Sequence, residues 1–374
     1  MFGARATGKS TLLLDYFSNE KTLWIDLLDP ELEDRLSTNP NMLKTLIQGE
    51  PNINWVVIDE IQKIPDLLNV VHGLSKNKSL KFALTGSSAR KLKRGGANLL
   101  AGRAFNYVCH PLVHSEIADQ FMLNDVLRFG SLPEIFSLAD DSEKSDYLRA
   151  YVDTYFKEEI VAEQIVRKLK PFKNFLQIAA QMNGKILNIN KIAQDVDVDH
   201  STVQNYFEIL EDTLVGFLLE PFHESLRKRQ RQAAKFYYFD LGVTRALSRS
   251  LDIPLKPGNY DFGNAFEQFI ILEIKRLASY LYPDWTFSYL RTKDNAEIDL
   301  IIERPGMRRV ALEIKSTQRI NDLNDSKTQA FASLCRDFEN SESYVISQDP
   351  LTQMRDGLTF LPWQKAFQEI GLVK

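Results

Sequence analysis

The first residues of the chain form a motif suited to binding a row of phosphates. Gly3-Ala-Arg-Ala-Thr-Gly8-Lys9-Ser10 matches the pattern G-x-x-x-x-G-K-[ST], and the apolar residues that follow Thr11 suit a helix. In such a loop backbone N–H groups converge on phosphate, the lysine neutralises β- and γ-phosphate oxygens, and the serine hydroxyl binds Mg²⁺. The motif predicts that Gly3, Gly8, Lys9, Ser10 and Thr11 bind a nucleoside triphosphate and its magnesium ion.

Two acids, Asp59 and Glu60, supply the second part of such a site. They end the apolar run Trp55-Val-Val-Ile. A run of this kind predicts a buried parallel strand that delivers both carboxylates to the carboxyl edge of a sheet, where ligands of open α/β sheets bind. We expect Asp59 to hold Mg²⁺ through water. We expect Glu60 to polarise the water that attacks the γ-phosphate.

A second apolar strand, Leu80–Leu84, ends in small hydroxyl residues. Ser87 or Ser88 could therefore contact the γ-phosphate. The alternative is that these serines only cap the helix that follows.

The stretch from Ala89 to Phe105 carries cations and no acid: Arg90, Lys91, Lys93, Arg94 and Arg103. It could face phosphate or the acidic surface of a partner, although a charge run is also typical of a solvated face. Arg103 follows the apolar turn Leu99-Leu-Ala-Gly, which is how an arginine finger is presented. We expect Arg103 to act on a neighbouring subunit of a homo-oligomer.

The strand that should precede the phosphate-binding loop is short. Such a loop usually follows a strand of about five residues, and only Met1 and Phe2 precede Gly3 here. The central strand is expected to be missing or stunted, which suggests a start codon assigned too late or a truncated product.

The middle of the chain has the pattern of a helix-turn-helix with a wing. Two apolar helical stripes lie within Ile189–Leu210, and Leu214–Phe222 and Lys235–Phe239 would be the wing strands. The second helix carries several acids and few cations, which favours packing over reading DNA bases. The wing tip is basic, which predicts contact with DNA phosphates without sequence choice. Its cations are Arg227, Lys228, Arg229, Arg231 and Lys235.

A third constellation lies near the C-terminus. A helix over Gly263–Ile274 is followed by strands at Thr286–Leu290, Ala296–Ile302 and Arg309–Lys315. Asp299 and Glu313 are expected to meet at adjacent strand ends and hold Mg²⁺. Lys315 shares the face of Glu313 because strand side chains alternate with period two, and Glu267 completes the site from the helix.

Such a site could activate water against a phosphodiester. An acid-x-lysine triplet also occurs by chance, so the alternative is a degenerate nuclease fold that binds without cutting.

The segments that carry these motifs resemble a family of prokaryotic AAA-type ATPases: GARATGKSTLL, WVVIDEIQKIP, FALTGSSARKL and NLLAGRAFNYVCHPLVHSE. Further segments are similar to the family's middle and C-terminal parts: GSLPE, YVDTY, KFYYFDLG and ALEIK. The C-terminal part of that family is a domain of unknown function similar to PD-(D/E)XK nucleases. The resemblance covers nearly the whole chain apart from the first strand. It implies an ATPase core with Asp59 and Glu60 as the Walker B pair, a winged-helix segment and a nuclease-like module.

The composition fits a globular protein of two or three domains. The 374 residues are 44% hydrophobic and 26% charged, and the formal net charge of −4 excludes a uniformly basic nucleic-acid coat. Cys109 and Cys335 have neither metal-ligand spacing nor the pattern of a disulfide framework. No stretch approaches 18 apolar residues and no secretory signal is visible, so we expect a cytoplasmic protein without a membrane span.

These patterns and the family resemblance together predict an α/β chain of three parts. An AAA-type P-loop domain with a parallel sheet covers 1–135, a helical and winged-helix segment covers 136–235, and an α/β PD-(D/E)XK nuclease-like domain covers 236–374. We expect ATP and Mg²⁺ to bind, ATP to be hydrolysed, and nucleotide state to be coupled to nucleic-acid processing by the C-terminal domain. The alternative is a nucleotide-dependent switch that binds a protein partner through a catalytically inactive nuclease-like scaffold.

Overall fold

The computed structural model describes residues 1–76, 79–88, 102, 104–155, 169–223, 233–320, 326–338 and 340–373. Its contacts group the chain into two compact units. The first unit comprises Met1–Pro111, Leu132–Glu134 and Glu208–Val215, and the second comprises Leu112–Ser131, Ile135–Phe207 and Gly216–Lys374. The division into 1–135, 136–235 and 236–374 stays a prediction, because this grouping separates only two units.

The first unit is built around a parallel sheet of three strands in the order β1-β2-β3. Asp26 pairs with Asp59, and Ile58 pairs with Leu84. The buried parallel strand predicted before Asp59 is therefore confirmed. The elements of this unit are α1 (Lys9–Tyr16), β1 (Thr22–Asp26), α2 (Pro30–Thr38), α3 (Met42–Gly49), β2 (Trp55–Asp59), α4 (Leu67–Leu74) and β3 (Lys81–Leu84).

Local sequence explains where these elements begin and what they bury. The carboxylate of Asp29 accepts the N–H groups of Glu31 and Leu32, and Pro30 supplies a fixed φ at the first position of α2. In β2 the apolar run buries Val56, Val57 and Ile58 completely, and Val56 and Ile58 belong to a core shared with the helices.

The place of a strand before the P-loop is taken by Phe2. It forms parallel bridges with Gly86 on one side and Val108 on the other. The N–H of Phe2 donates to the carbonyl of Tyr107 at 2.8 Å, and the N–H of Cys109 donates to the carbonyl of Phe2 at 2.6 Å. The loop that begins at Gly3 is thus anchored beside the end of β3.

The second unit contains a mixed sheet of eight strands in the order β10-β11-β9-β8-β7-β6-β4-β5. The helix and three strands predicted near the C-terminus are confirmed, although the helix is longer than Gly263–Ile274. The elements are α5 (His114–Ile117), α6 (Leu123–Phe129), α7 (Asp141–Tyr155), α8 (Leu169–Gln181), α9 (Ile189–Val196), α10 (His200–Asp212, which ends in the first unit), β4 (Gly216–Pro221), β5 (Lys235–Tyr238), α11 (Leu241–Leu247), α12 (Tyr260–Leu281), β6 (Thr286–Arg291), β7 (Glu297–Glu303), β8 (Arg309–Ile314), α13 (Ser326–Asp337), β9 (Ser341–Ser347), β10 (Gln353–Arg355), β11 (Leu358–Pro362) and α14 (Trp363–Ile370).

The core of this unit forms around α12. Phe266, Phe269 and Ile270 of that helix are buried in one cluster with Leu300 of β7 and Leu312 of β8. This packing fixes α12 against the strands that carry the C-terminal acids.

The predicted wing strands pair antiparallel, because Gly216 of β4 faces Tyr238 of β5. They do not form a separate hairpin, since β4 also pairs in parallel with β6 at Glu220 and Ser288. The two strands are therefore the end of the large sheet, and α9 and α10 are the two helices predicted within Ile189–Leu210.

The prediction that Lys235 belongs to an exposed basic tip is wrong. Its side chain is only 4% exposed and lies among carboxylates, because all four residues of β5 are buried rather than projecting as a wing. The other cations of that tip lie outside the described residues: Arg227, Lys228, Arg229 and Arg231. Within the part of the chain that the structure describes, no helix combines the length and the apolar character needed to cross a bilayer.

Candidate active site

The P-loop is shaped by two glycines. Gly8 has a φ of 85° and a ψ of 15°, a left-handed conformation that leads directly into α1 at Lys9. Gly3 lies against the backbone, and a Cβ added there would stand 2.3 Å from the carbonyl oxygen of Cys109. A larger residue at position 3 would therefore push the P-loop away from the backbone at Cys109.

The Lys9 ammonium lies inside the loop. Its Nζ donates to the carbonyl of Gly3 at 3.0 Å and to the carbonyl of Ala4 at 2.9 Å, and the residue is 5% exposed. The positive charge is thereby held among the backbone groups expected to surround phosphate.

Ser10 joins the P-loop to the acidic strand. Its Oγ donates to Oδ2 of Asp59 at 2.5 Å, and Asp59 is 4% exposed. The other carboxylate oxygen of Asp59 accepts the hydroxyl of Thr85 and the N–H of Glu60. The structure therefore brings together residues from two motifs that are far apart in sequence, and Thr85 fixes the carboxylate.

These oxygens fit a magnesium ion. A hydroxyl and a carboxylate are hard oxygen ligands of the kind that Mg²⁺ prefers, and few protein ligands are needed because the ion keeps several waters. The contact between Ser10 and Asp59 brings both ligand oxygens together at the N-terminus of α1.

Glu60 occupies an uncommon backbone conformation. Its φ of 58° and ψ of 43° lie in the left-handed region, which costs energy for a residue with a Cβ. Its Oε2 accepts the side-chain amide of Gln62, and it accepts the hydroxyl of Ser87 at 3.3 Å. The backbone turn and two side chains together orient the carboxylate.

The two candidate serines have different contacts. Ser87 reaches Glu60 and Gln62, whereas the hydroxyl of Ser88 donates to the carbonyl of Asp212 at 3.4 Å. Of the two, Ser87 is the serine next to the acidic pair. Thr11 lies on the exposed surface of α1.

Other predicted residues lie outside the described part of the chain. These are Arg103 and the cluster Arg90, Lys91, Lys93 and Arg94. Their predicted roles stay predictions.

The C-terminal acids of the second unit form a separate group. Asp299 and Glu313 flank the paired residues Leu300 and Leu312 of β7 and β8. The N–H of Ile314 donates to Oδ2 of Asp299 at 2.8 Å. Nζ of Lys315 lies 2.7 Å from Oε1 of Glu313, as the alternation of side chains along the strand predicts.

Lys235 and Glu297 are the two residues of this group that the sequence analysis did not assign to it. Nζ of Lys235 lies 2.5 Å from Oε1 of Glu297 and 3.6 Å from Oε1 of Glu267. The hydroxyl of Tyr237 donates to the same oxygen of Glu267 at 2.7 Å. An internal ammonium therefore stands among the acids, and we name Lys235, Glu267, Glu297, Asp299, Glu313 and Lys315 the acidic cluster.

Burial and neighbouring charges alter the titration of this cluster. Burial raises the pKa of Asp299 well above its usual value, and the carboxylates of Glu313 and Glu267 raise it further. Burial opposes the charge of Lys235, but the carboxylates of Glu267, Asp299 and Glu297 outweigh it and raise the pKa of the ammonium. Lys235 thus stays charged while Asp299 resists ionisation.

No three histidine, cysteine, aspartate or glutamate side chains among the described residues form a group that could hold a metal ion. The Mg²⁺ site expected between Asp299 and Glu313 stays a prediction that rests on two carboxylates.

Comparisons with known proteins divide the chain into three matched regions. Residues 1–118 match the family model of an AAA domain. Residues 120–253 and 262–366 match domains of unknown function, DUF8612 and DUF4143 respectively.

Two relatives carry names that assign no activity. The protein Rv2008c of Mycobacterium tuberculosis is 27% identical over 84% of this chain and 69% of its own length. The protein MJ1544 of Methanocaldococcus jannaschii is 23% identical over 86% of this chain and 76% of its own.

A solved structure, Can2 from Sulfobacillus thermosulfidooxidans in complex with cyclic tetra-adenylate, aligns over 93% of this chain and 98% of its own. The identity is 11% and the TM-score is 0.23, values too low to indicate a shared fold. The chain is therefore similar to an AAA domain over residues 1–118 and to DUF4143 over residues 262–366.

Proposed function

We propose that the first unit binds ATP with Mg²⁺ and hydrolyses the γ-phosphate bond. The observation that carries this proposal is the hydrogen bond between Ser10 and Asp59, which unites the P-loop with the acidic strand. The match of residues 1–118 to an AAA domain supports ATP as the nucleotide.

Each residue has a distinct task in this reaction. Backbone N–H groups at the start of α1 and the Lys9 ammonium bind the β- and γ-phosphates. Ser10 and Asp59 would hold Mg²⁺, which when bound neutralises charge on the phosphate oxygens. Thr85 keeps the Asp59 carboxylate in place.

Glu60 acts on the attacking water. The water oxygen forms a bond to the γ-phosphorus as the bond to the β–γ bridging oxygen breaks, and ADP leaves with that electron pair. The carboxylate of Glu60 orients the water and accepts its proton. Ser87 is the candidate contact to the γ-phosphate.

Two substitutions test these roles. Lys9→Ala should abolish detectable ATP binding, because it removes the charge that holds the phosphates. Glu60→Gln should bind ATP and stall, because it removes only the proton acceptor. Lys44→Ala, on an exposed face of α3, is the matched control for the loss of a lysine. Equal ATP turnover in wild type and Glu60→Gln would contradict the assignment.

Arg103 is proposed to complete the site of a neighbouring subunit. An arginine supplied from outside accelerates phosphoryl transfer by about 10³- to 10⁵-fold where it operates. Mixing Lys9→Ala with Arg103→Ala subunits should recover activity, since each supplies what the other lacks. A strictly monomeric enzyme with no recovery in the mixture would reject this role.

For the second unit, the contacts of the acidic cluster favour a scaffold that binds a partner over a nuclease. A metal-dependent nuclease needs carboxylate oxygens that are open to the metal ion. Glu313 is instead paired with Lys315 at 2.7 Å, and Lys235 lies against Glu297 and Glu267. We therefore expect no cleavage of single- or double-stranded DNA with Mg²⁺ or Mn²⁺, with or without ATP. Cleavage that Asp299→Asn and Lys315→Ala each remove, with ATP hydrolysis intact, would establish the nuclease instead.

A further inference from the structure

Gln62 lies at the centre of a buried polar group behind the acidic pair. It is 4% exposed and sits in the short 3₁₀ turn Ile61–Lys63 that follows Glu60. Its Nε2 donates to Oε2 of Glu60 and, at 2.9 Å, to Oγ of Ser87. One side-chain amide thus binds the expected proton acceptor and the expected γ-phosphate contact.

The three side chains close a ring of hydrogen bonds. The hydroxyl of Ser87 donates at 3.3 Å to the same oxygen of Glu60 that accepts the amide of Gln62. An amide nitrogen carries two N–H groups, so both donors of Gln62 are used within the ring. The Glu60 carboxylate cannot rotate without breaking two of these bonds.

The arrangement retains two features that cost stability. Oε1 of Gln62 is buried and has no hydrogen-bond partner, and an unpaired buried acceptor is destabilising. Glu60 itself holds a left-handed backbone conformation. Such costs concentrate at functional sites, where the surrounding structure holds a group in one orientation.

We propose that Gln62 is a positioning residue for ATP hydrolysis, which aims the carboxylate of Glu60 at the attacking water and ties that orientation to Ser87. This inference rests on the proposed function of the first unit. Gln62 contacts neither phosphate nor water in this role. It acts through Glu60 and therefore affects turnover rather than affinity.

The test compares three variants in steady-state ATP hydrolysis and equilibrium ATP binding. Gln62→Leu keeps the bulk of the side chain and removes both donors. It should lower kcat by at least about tenfold, a part of the 10²- to 10⁴-fold that general base catalysis contributes. Its KM and its ATP affinity should stay within about twofold. Gln48→Leu, at an exposed position of α3 in the same unit, should leave kcat unchanged.

A double variant separates a positioning role from a structural one. In the Glu60→Gln background, Gln62→Leu should lower the residual turnover by less than about twofold, because Gln62 acts through the Glu60 carboxylate. Gln62→Glu is near-isosteric and replaces the amide donor by an acceptor, so it should also lower kcat by at least about tenfold. Gln62→Glu carries the test if Gln62→Leu does not fold.

The outcomes distinguish this inference from the proposed function. Absence of ATP turnover in wild type would remove the proposed function itself. A wild type that hydrolyses ATP and a Glu60→Gln variant that stalls, combined with Gln62→Leu turnover equal to that of Gln48→Leu, would overturn only the role of Gln62. A rise in kcat for Gln62→Leu would also overturn it, because the amide would then restrain Glu60 rather than aim it.

Discussion

The ammonium of Lys235 lies 2.5 Å from Glu297 and 3.6 Å from Glu267 and should contribute strongly to stability. Lys235→Met removes the cation and leaves two partly buried carboxylates unpaired. Breaking a fully buried pair costs about 3–5 kcal/mol. Because these acids are 28% and 22% exposed, we expect a smaller loss of stability than for a fully buried pair, about 2–3 kcal/mol.

Urea unfolding followed by tryptophan fluorescence measures this loss. Lys293→Met, at an exposed position in the same unit, is the matched control and should change the free energy of unfolding by less than about 0.5 kcal/mol. Equal midpoints for the two variants would show that the Lys235 pairs contribute nothing.

Asp299 should make the second unit more stable in acid than in base. Burial, and then the carboxylates of Glu313 and Glu267, raise its pKa in the folded state above the ordinary 3.8. Its favourable contribution is therefore complete below pH 3.8 and is lost as pH rises through the folded pKa. Asp299→Asn cannot titrate, and its oxygen can still accept the N–H of Ile314.

We expect Asp299→Asn to be more stable than wild type at pH 8, with a difference that shrinks as pH approaches 4. Urea midpoints of both proteins across this pH range measure the effect. A difference that is constant, or that grows as pH falls, would contradict the raised pKa.

The sequence predicts some site residues well because their spacing is fixed by one short motif. Lys9 and Ser10 belong to such a motif, and Asp59 ends a strand whose apolar run is visible in the sequence. Lys235 was misplaced because its neighbours in sequence are cations, whereas its burial depends on acids on α12 and β7. Gln62 is a neutral side chain whose role depends on folding, so no pattern singles it out.

At the scale of elements, α12 is anchored by one buried arginine. Arg276 is 3% exposed and donates to the carbonyls of Leu112 and Phe239 and to the hydroxyl of Ser131. Its guanidinium also lies 3.9 Å from Glu273 of the same helix. One side chain therefore ties α12 to three separate segments of the second unit.

Arg276→Met should destabilise the second unit by about 3–5 kcal/mol. It leaves buried oxygen acceptors without a donor and the carboxylate of Glu273 without its cation. The stability of Arg276→Lys should lie between those of wild type and Arg276→Met. An ammonium keeps the charge but cannot donate to all three acceptors at once. The exposed Arg336→Met on α13 serves as the control in thermal unfolding. Midpoints that do not follow this order would show that α12 is held by its apolar face alone.

Strand existence was easier to predict than strand pairing. The runs at β6, β7 and β8 are visible from their apolar residues and follow one another by short connections. The parallel pairing of β4 with β6 joins Glu220 to Ser288 across the intervening α12. No local sequence pattern indicates a pairing between strands so far apart in the chain. The sequence therefore predicted that β4 and β5 form a separate wing.

At the scale of the whole molecule, each unit carries its own optical reporters. Of the four tryptophans, Trp24 and Trp55 lie in the first unit and Trp285 and Trp363 in the second. Separate cores commonly unfold in separate transitions. We expect a Trp24→Phe/Trp55→Phe variant and a Trp285→Phe/Trp363→Phe variant to give different urea midpoints.

ATP with Mg²⁺ should raise the free energy of unfolding reported by Trp24 and Trp55 by about 2.7 kcal/mol at a concentration one hundred times Kd, and the urea midpoint should rise with it. Lys9→Ala should abolish that shift. Coincident transitions from both reporter pairs would show that the two units unfold as one.

The first unit is not continuous in sequence, since it takes in Leu132–Glu134 and Glu208–Val215 after Pro111. Ribosomes add about 5–20 residues per second, so residue 215 follows residue 111 by about 5 to 20 seconds. During that interval the nascent chain carries the P-loop while the carbonyl of Asp212, which the Ser88 hydroxyl contacts, has yet to be made. The part of the protein that is synthesised first therefore completes its fold only after the middle of the chain has left the ribosome.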